Sequence, residues 1–316
     1  MSHYIHQHPA SLLSVLPYSI TDVCSLFQQV DNIKGSSLVP QQDKIILTAF
    51  FEASTRTRLS FESAALRANM KTLSIVDPKL TGMAKGESIE DIGHMLSGYA
   101  DVVVVRHGDL DQFNRLKSSL SIPLINAGNG HLEHPTQALT DWYTLAKWSP
   151  KLVFGNCAQN EKIHLGVIGS PRKMRSVNSF LLLSRLFIDN IASITIISDQ
   201  SEQDLLSPEI MDVRAEFKDK LTITSEFDET IKELDVIYMN SIAFLDNQYE
   251  LLGSQYQIKD STQLKSSAVV LHPLARRDEL STAIDQTHHN LYFQQAHHAV
   301  SVRQALLQSI ANWTEE

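Results

Sequence analysis

The fold is decided by residues 50–61, which read Phe-Phe-Glu-Ala-Ser-Thr-Arg-Thr-Arg-Leu-Ser-Phe. An apolar run of strand length, residues 44–51, leads into this stretch, and apolar residues at helical spacing follow it as far as Met70. The pattern therefore predicts a strand, a polar turn and a helix. The turn contains small hydroxyl side chains and guanidinium groups, namely Ser54, Thr55, Thr57, Arg56 and Arg58.

The start of this predicted helix is suited to an anion. The first N–H groups of a helix have no partner inside it and carry partial positive charge, and hydroxyl and guanidinium donors add to that charge. We expect a phosphate dianion to bind here. The alternative is that Ser54 or Thr55 only caps the helix and that the arginines are solvated, which explains one hydroxyl group and not the others.

Composition restricts the possible functions. A chain of 316 residues, 43% apolar and 20% charged, indicates an ordinary globular protein with two domains. Its formal charge of -9 argues against a nucleic-acid-binding protein, since phosphate backbones need a basic face. Cys24 and Cys157 are too few for a disulfide framework. Because neither a signal peptide nor a membrane-spanning run is recognisable, we expect a cytoplasmic protein without a membrane partner.

Two further cationic side chains are candidates for the same site. Residues 101–107 form a buried strand that ends in Arg106 and His107. Ligands of open α/β sheets bind at the carboxyl ends of strands, so Arg106 is well placed to reach one. Lys85 lies in a glycine-containing loop that could swing over a neighbouring site, although a loop lysine taken alone indicates only solvated surface.

Another polar helix start follows the strand at residues 123–126. His134 and Gln137 lie one helical turn apart on either side of Pro135, which suits the first position of a helix. Beside an arginine-rich site, a histidine is more useful as a hydrogen-bond donor to a carbonyl oxygen than as a metal ligand. We therefore predict no metal here, while a purely structural role for His134 stays open.

The second half of the chain repeats strand, helix and strand, which predicts a doubly wound parallel sheet. Gly166 and Gly169 are a weak dinucleotide signal, because the full glycine fingerprint is missing. Arg175, at a predicted helix start, is another anion candidate. The carbonyl groups of Pro273 and Leu274, in the loop after the last strand, could accept N–H groups of a substrate.

The predicted fold is thus α/β, with two domains that each contain a parallel sheet flanked by helices. We place the first domain at 1–148, closed by a C-terminal helix at about 290–316, and the second at 149–289. The histidine pairs 288–289 and 297–298 are interpreted as surface or interface residues, because neighbours on a helix do not face each other. No metal and no organic cofactor is predicted.

Six motifs in chain order resemble the aspartate/ornithine carbamoyltransferase family over nearly the whole chain. They are Phe-x-x-Ser-Thr-Arg-Thr-Arg, Lys-Gly-Glu, Val-x-Arg-His, His-Pro-Thr-Gln-x-Leu-x-Asp, Gly-x-x-x-x-x-Arg-Ser-Val-x-Ser and Leu-His-Pro-Leu-x-Arg. The first and fourth motifs are highly specific for carbamoyl phosphate. The branch that uses aspartate is the more similar, since the ornithine branch has cysteines where Thr136 and Pro273 stand.

The resemblance implies roles for the candidate residues. The phosphate group would be held by Ser54, Thr55, Arg56, Thr57 and Arg106. The carbonyl oxygen would be polarised by Arg56, Thr57 and His134. The carbamoyl amine would be held by Gln137 and the carbonyl groups of Pro273 and Leu274.

The same resemblance concerns the acceptor and the assembly. It implies that Arg175, Lys85 and Leu274 bind the amino-acid substrate and that Lys85 takes part in catalysis. Lys85 would come from the adjacent subunit of a homotrimer, to which regulatory chains could bind. The expected reaction carbamoylates L-aspartate for pyrimidine biosynthesis. This agrees with the residues themselves, because attack of an amine on a carbamoyl group needs positioning and preorganised positive donors and no covalent nucleophile.

Three departures from the family affect the acceptor side. Ser241 and Ala243 stand where aspartate-specific members have an arginine and a glutamine, and a missing charge-assisted pair costs on the order of 2 to 5 kcal/mol. Ala275 replaces a proline that usually follows a cis bond, which at a non-proline residue costs about 3 kcal/mol and would favour a rebuilt loop. Residues 296–299 replace a glycine-containing turn. A different amine acceptor, or a catalytically weak protein that senses carbamoyl phosphate, therefore stays open.

Overall fold

The computed structural model describes residues 11–33, 43–77, 81–240, 242–245, 248–251 and 256–311. These residues form two parallel sheets flanked by helices, which confirms the predicted fold class. Two compact units can be separated. Unit one comprises Met1–Pro17, Ser25–Thr136 and Ala299–Glu316, and unit two comprises Tyr18–Cys24 and Gln137–His298.

The helices and strands are numbered in chain order. The helices are α1 Ile20–Ile33, α2 Thr55–Arg67, α3 Ile89–Ser97, α4 Leu110–Ser119, α5 Pro135–Trp148, α6 Pro150–Phe154, α7 Arg175–Ser184, α8 Glu202–Leu205, α9 Pro208–Asp212, α10 Phe227–Thr230 and α11 Tyr292–Ala311. The strands are β1 Ile45–Phe50, β2 Lys71–Ile75, β3 Val102–His107, β4 Leu124–Asn129, β5 Ile163–Ile168, β6 Ile191–Ile197, β7 Leu221–Thr224, β8 Val236–Met239, β9 Ile242–Leu245, β10 Gln248–Leu251 and β11 Val269–Leu271.

The sheet of unit one has the order β2-β1-β3-β4, with all neighbours parallel. Its central strands are buried because helices cover parallel sheets on both faces, and four consecutive valines of β3 are inaccessible to solvent. Helix α2 buries Phe61. In the same unit, Arg303 of α11 donates to the Ser60 hydroxyl and places its guanidinium 4.8 Å from the centre of the Phe61 ring. These contacts anchor the helix that follows the polar turn.

The sheet of unit two has the order β11-β8-β5-β6-β7 and is parallel, which confirms the predicted doubly wound arrangement. The strand order reverses direction at β5, and ligands of such sheets bind at the carboxyl ends beside this switch point. Gly169 follows β5 with a φ of 147°, and a Cβ atom there would lie 2.2 Å from the Asn240 carbonyl oxygen. The glycine is therefore required for close packing of the backbone.

Residues 149–162 form α6 and a short 3-10 turn at Gln159–Glu161, and Leu152 and Val153 of α6 are buried. After β8 the chain forms an antiparallel pair, β9 with β10, which the sequence analysis missed. The Asp246-Asn247 turn signal, between the apolar run at 242–245 and the alternating pattern at 248–251, could have revealed it.

Candidate active site

The polar turn leads directly into α2. Ser54 is the N-cap residue, with extended backbone angles of φ −160° and ψ 92°, yet its side chain makes no capping hydrogen bond. Thr55 and Arg56 are exposed in the first turn, whereas Thr57 is buried. The interpretation that Ser54 merely caps the helix is therefore wrong. Its hydroxyl group is left available to a ligand.

The two arginines of the turn have different surroundings. Arg58 donates through Nη1 to the Glu62 carboxylate at 2.8 Å, one helical turn further on, and Ser74 donates to the same carboxylate oxygen at 2.7 Å. Arg56 forms no hydrogen bond or ion pair with any of the residues that the structure describes. Partial desolvation lowers the pKa of its guanidinium, although the side chain stays largely exposed. Arg56 is thus the arginine that can engage an anion.

Arg106 lies at the carboxyl end of the same sheet. It pairs in register with Phe50, so the ends of β1 and β3 bring it beside the polar turn, as the sequence predicted. Its side chain is 13% exposed and donates through Nη2 to the Glu52 carboxylate at 2.6 Å. Glu52 was not among the predicted site residues. It pairs with the Arg106 guanidinium, and a phosphate dianion could replace the Glu52 carboxylate as its partner.

The two residues that precede α5, Glu133 and His134, make contacts that fix the start of this helix. Glu133 is buried, accepts a hydrogen bond from the backbone N–H of Val15 at 3.1 Å and binds the Ser14 hydroxyl. His134 follows it, only 5% exposed, with Nδ1 3.4 Å from the Thr136 hydroxyl. These contacts hold His134 in one orientation at the point where the helix begins.

Gln137 belongs to unit two and is half-buried. Its amide nitrogen donates to the Asp141 carboxylate at 2.7 Å, so its Oε1 atom remains as a hydrogen-bond acceptor. Asp141 is fully buried and is a residue to which the sequence analysis assigned no role. An acceptor at this position is what a carbamoyl amine requires.

The loop after β11 is held by a buried imidazole. His272 contacts Glu279 through Nε2 at 2.8 Å and accepts from the backbone N–H of Leu274 through Nδ1 at 2.8 Å. The other Glu279 oxygen accepts from the backbone N–H of Arg277 at 2.9 Å. Burial acts to raise the pKa of Glu279, but the hydrogen bonds from His272 and from backbone N–H groups outweigh burial, and the pKa is lowered.

The backbone of this loop presents its carbonyl groups. Leu274 has a φ of 57°, and its peptide bond to Ala275 is cis, so the rebuilt loop that the sequence favoured is not found. Within the described ranges, no backbone N–H donates to the carbonyl oxygen of Pro273 or Leu274. Both oxygens are therefore available to N–H groups of a ligand.

The start of α7, where the amino-acid acceptor is expected, has fewer polar groups than the start of α2. Arg175 is the first residue of α7, whose N-cap residue, Met174, offers no side-chain cap. Arg172, Arg276 and Arg277 could have replaced a missing arginine, and all three already have partners. Arg172 donates to the Gln203 carbonyl at 3.0 Å, and Arg276 forms a fork to the Asp285 carboxylate.

Lys85 is exposed at the end of a 3-10 turn, Gly82–Lys85, and is followed by Gly86 with a φ of 89°. Ser241 lies outside the described residues, and Ala243 lies in β9. His288 and His289 contact the backbone carbonyls of Ser266 and Ala268.

The described part of the chain contains no group of three or more histidine, cysteine or acidic side chains that could hold a metal ion. None of its helices is long and apolar enough to cross a membrane.

The chain belongs to the aspartate/ornithine carbamoyltransferase family. Residues 10–147 match the model of the family's carbamoyl-P binding domain, and residues 161–310 match that of its Asp/Orn binding domain. The chain is similar to proteins named aspartate carbamoyltransferase catalytic subunit. That of Sulfurisphaera tokodaii is 34% identical, with 95% of this chain and 98% of the relative covered, and that of Picrophilus torridus is 36% identical, with 95% and 97% covered.

A solved structure is also similar over most of its length. It is the aspartate transcarbamoylase of Trypanosoma cruzi in complex with carbamoyl aspartate and phosphate. Its TM-score is 0.80 at 28% sequence identity, with 95% of each chain covered. The likeness thus extends over both units of the fold.

Proposed function

We propose that this protein transfers the carbamoyl group of carbamoyl phosphate to the amine of L-aspartate, giving N-carbamoyl-L-aspartate and phosphate for pyrimidine biosynthesis. The observation that carries the proposal is the start of α2. There the Ser54 hydroxyl makes no capping bond, and the Arg56 guanidinium has no ion pair with a described residue. Family membership supplies the chemistry for which such a donor cluster is suited.

The reaction forms one bond and breaks one. The amine nitrogen attacks the carbamoyl carbon, negative charge develops on the carbonyl oxygen, and the C–O bond to phosphate breaks as phosphate leaves with the electron pair and the amine loses a proton. Such a reaction is accelerated by orientation and by fixed donors directed at the developing charge. It needs no covalent nucleophile.

We infer the roles of the individual residues from the family resemblance. Phosphate is held by donors of the α2 start and of β3, namely Ser54, Thr55, Arg56, Thr57 and Arg106. Arg56, Thr57 and His134 polarise the carbonyl oxygen. The Gln137 Oε1 atom and the carbonyl groups of Pro273 and Leu274 accept the N–H groups of the carbamoyl amine. Arg175, Leu274 and Lys85 bind the amino acid.

The decisive experiment is phosphate release from carbamoyl phosphate with a panel of amines: aspartate, ornithine, putrescine and small mono-acids. Turnover with aspartate supports the proposal, whereas preferred turnover with another amine would replace aspartate as the acceptor. Ser241 and Ala243 motivate this panel. Tight binding of carbamoyl phosphate without turnover of any amine would indicate a sensor and contradict the enzyme assignment.

We further infer a cytoplasmic homotrimer whose domains are 1–148 with 290–316, for carbamoyl phosphate, and 149–289, for the amino acid. Unit one offers a surface for such an assembly. Leu59 and Leu66 of α2 are 49% and 61% exposed, and β2 is an edge strand with Leu73 45% exposed. Apolar side chains concentrated on one side of a unit are typical of subunit interfaces. Light scattering after size exclusion tests the trimer and would also reveal a monomer.

Lys85 provides a functional test of the same assembly. We infer that Lys85 acts on the site of a neighbouring subunit, so inactive Lys85→Ala chains mixed with inactive Arg56→Ala chains should regenerate active sites in hybrid trimers. Hybrids separated by a charged tag allow activity to be measured for each composition. If tagged hybrids form and stay inactive, each site is built from a single chain.

A further inference from the structure

Asp141 is a buried carboxylate that accepts hydrogen bonds from distant parts of unit two. Its Oδ1 atom accepts from the amide nitrogens of Gln137 at 2.7 Å and Gln295 at 2.6 Å. Its Oδ2 atom accepts from the Tyr238 hydroxyl at 3.0 Å. Asp141 and Tyr238 are both fully buried, and Gln295 is 1% exposed. A carboxylate in such a place can only accept, so it dictates the orientation of every donor around it.

The first consequence concerns Gln137. A glutamine amide has one donor end and one acceptor end, and a carboxylate holds the donor end. The nitrogen of Gln137 therefore faces Asp141, and Oε1 faces away from it. Without the carboxylate, the amide could turn its nitrogen outward and offer a donor where a carbamoyl amine needs an acceptor.

The second consequence concerns the loop at Pro273 and Leu274. Asp141 orients Gln295 in the same way, and the Oε1 atom of Gln295 accepts from the backbone N–H of His272 at 2.9 Å. His272 in turn accepts from the backbone N–H of Leu274 at 2.8 Å. One carboxylate is therefore connected to both groups of acceptors that the proposed function assigns to the carbamoyl amine.

We propose that Asp141 is a positioning residue that sets the selectivity for donors carrying an amine, by orienting Gln137 directly and the Pro273–Leu274 carbonyls through Gln295 and His272. This inference rests on the proposed function. It predicts that Asp141 contributes to the choice between carbamoyl phosphate and acyl phosphates without an amine. Binding of the phosphate group itself should depend little on it.

The test compares the affinity for carbamoyl phosphate, acetyl phosphate and inorganic phosphate by calorimetry. Acetyl phosphate carries a methyl group in place of the amine, so the ratio of the first two affinities reports on amine recognition alone. In Asp141→Leu, this ratio should fall by about tenfold or more, which corresponds to the loss of one or two hydrogen bonds. Affinity for inorganic phosphate should change less than about twofold, since no hydrogen bond to that ligand is removed.

Matched variants separate positioning from a general structural effect. Asp141→Asn should restore most of the ratio, because its oxygen can accept from both glutamines while its nitrogen donates to the Tyr238 hydroxyl. Tyr238→Phe removes only the contact to Oδ2 and should leave the ratio nearly unchanged. Gln295→Met cuts only the branch to His272, so an intermediate loss is expected. If Asp141→Leu does not fold, the ratio measured for Gln295→Met tests the inference. A reduced ratio supports it, and an unchanged ratio contradicts it.

Two results would overturn the inference. One is a wild-type ratio in folded Asp141→Leu or, if that variant does not fold, in Gln295→Met. The other is an equal loss of affinity for all three ligands, which a merely structural role would produce. Failure of the proposed function looks different, because wild-type protein would then show either no turnover with any amine or preferred turnover with an amine other than aspartate, whatever the ratio.

Discussion

The starts of α2 and α7 differ in the polar groups that surround the arginine of their first turn. Each helix follows a parallel strand and has an arginine in its first turn, Arg56 in α2 and Arg175 in α7. Around Arg56 lie hydroxyl groups, whereas the residue before Arg175 is Met174 and the one after it, Ser176, is already hydrogen-bonded to Asn240. The start of α2 is suited to a dianion, and the start of α7 to a single carboxylate.

This difference indicates which parts of the chain would recognise the phosphate group and which would recognise the acceptor. Phosphate has the same shape and charge in every substrate of this kind, so a dense set of donors at one helix start can recognise it. The acceptor must be recognised by its side chain, and this requires residues beyond the helix start. In this chain that segment follows β8 and includes Ser241 and Ala243, where the family resemblance implies an arginine and a glutamine.

The largest effect on catalysis is expected when Arg56, in the first turn of α2, is replaced. Arg56→Ala should lower kcat/KM about 100- to 1000-fold, as removal of an oxyanion donor does in other enzymes, and His134→Ala should behave similarly. Arg58→Ala is the matched control, because that guanidinium is held by Glu62. It should lower the rate less than about tenfold while reducing the free energy of unfolding by up to about 1 kcal/mol.

Steady-state kinetics and thermal melts of these variants check the prediction. Equal rate losses for Arg56→Ala and Arg58→Ala would show that the surroundings of the two arginines do not decide which one engages the ligand.

The next largest effect concerns the KM for aspartate. Aspartate kinetics at saturating carbamoyl phosphate should show a high KM, because the second carboxylate finds neither an arginine nor a glutamine at 241 and 243. Ser241→Arg with Ala243→Gln should lower this KM about thirtyfold or more, the equivalent of restoring a charge-assisted pair. The affinity for carbamoyl phosphate is the control and should not change. Saturation of the unmodified protein at micromolar aspartate would contradict the prediction.

A smaller effect concerns stability and pH. The pKa of Glu279 is lowered on folding, so its contribution to the free energy of unfolding is complete above its ordinary value of 4.5 and is lost as the pH falls toward the folded value. Glu279→Gln should therefore destabilise the protein by about 1 to 3 kcal/mol at neutral pH, and the gap to wild type should narrow below pH 4.5. Denaturant titrations between pH 3 and 7 measure it, and a gap independent of pH would contradict the assignment.

The smallest effect concerns two serines at helix starts, Ser54, which is expected to bind phosphate, and Ser88, which caps α3. Ser88 caps α3 by accepting from the backbone N–H of Asp91 at 3.0 Å, whereas Ser54 makes no such bond. Ser88→Ala should cost about 1 kcal/mol of stability and leave phosphate affinity unchanged. Ser54→Ala should do the reverse, weakening phosphate binding without a change in melting temperature. A stability loss in Ser54→Ala as large as in Ser88→Ala would show that Ser54 does cap α2.

Sequence patterns predicted the elements that local chemistry determines. The strand, polar turn and helix around Ser54, the helix start at Pro135 and the doubly wound sheet were all correctly predicted, because each depends on periodicity and turn residues. The partner of Arg58 was missed although Glu62 lies at the spacing of a helical ion pair.

Other parts of the candidate site could not be predicted in this way. Asp141 meets Tyr238 and Gln295 across separations of 97 and 154 residues, so its burial and its partners arise only in the folded chain. The same holds for Glu52, whose contact with Arg106 depends on the register of two strands. No local pattern in the sequence contains such pairings.

Unit one is assembled from segments that are synthesised at very different times. Its sheet is complete once β4 has emerged from the ribosome, but Arg303, which contacts Ser60 and Phe61 of α2, is translated only after all of unit two. The ribosome must therefore translate some 160 further residues, the length of Gln137–His298, before Arg303 can contact α2. During that interval the helix that begins at the candidate phosphate site lacks the contacts of Arg303.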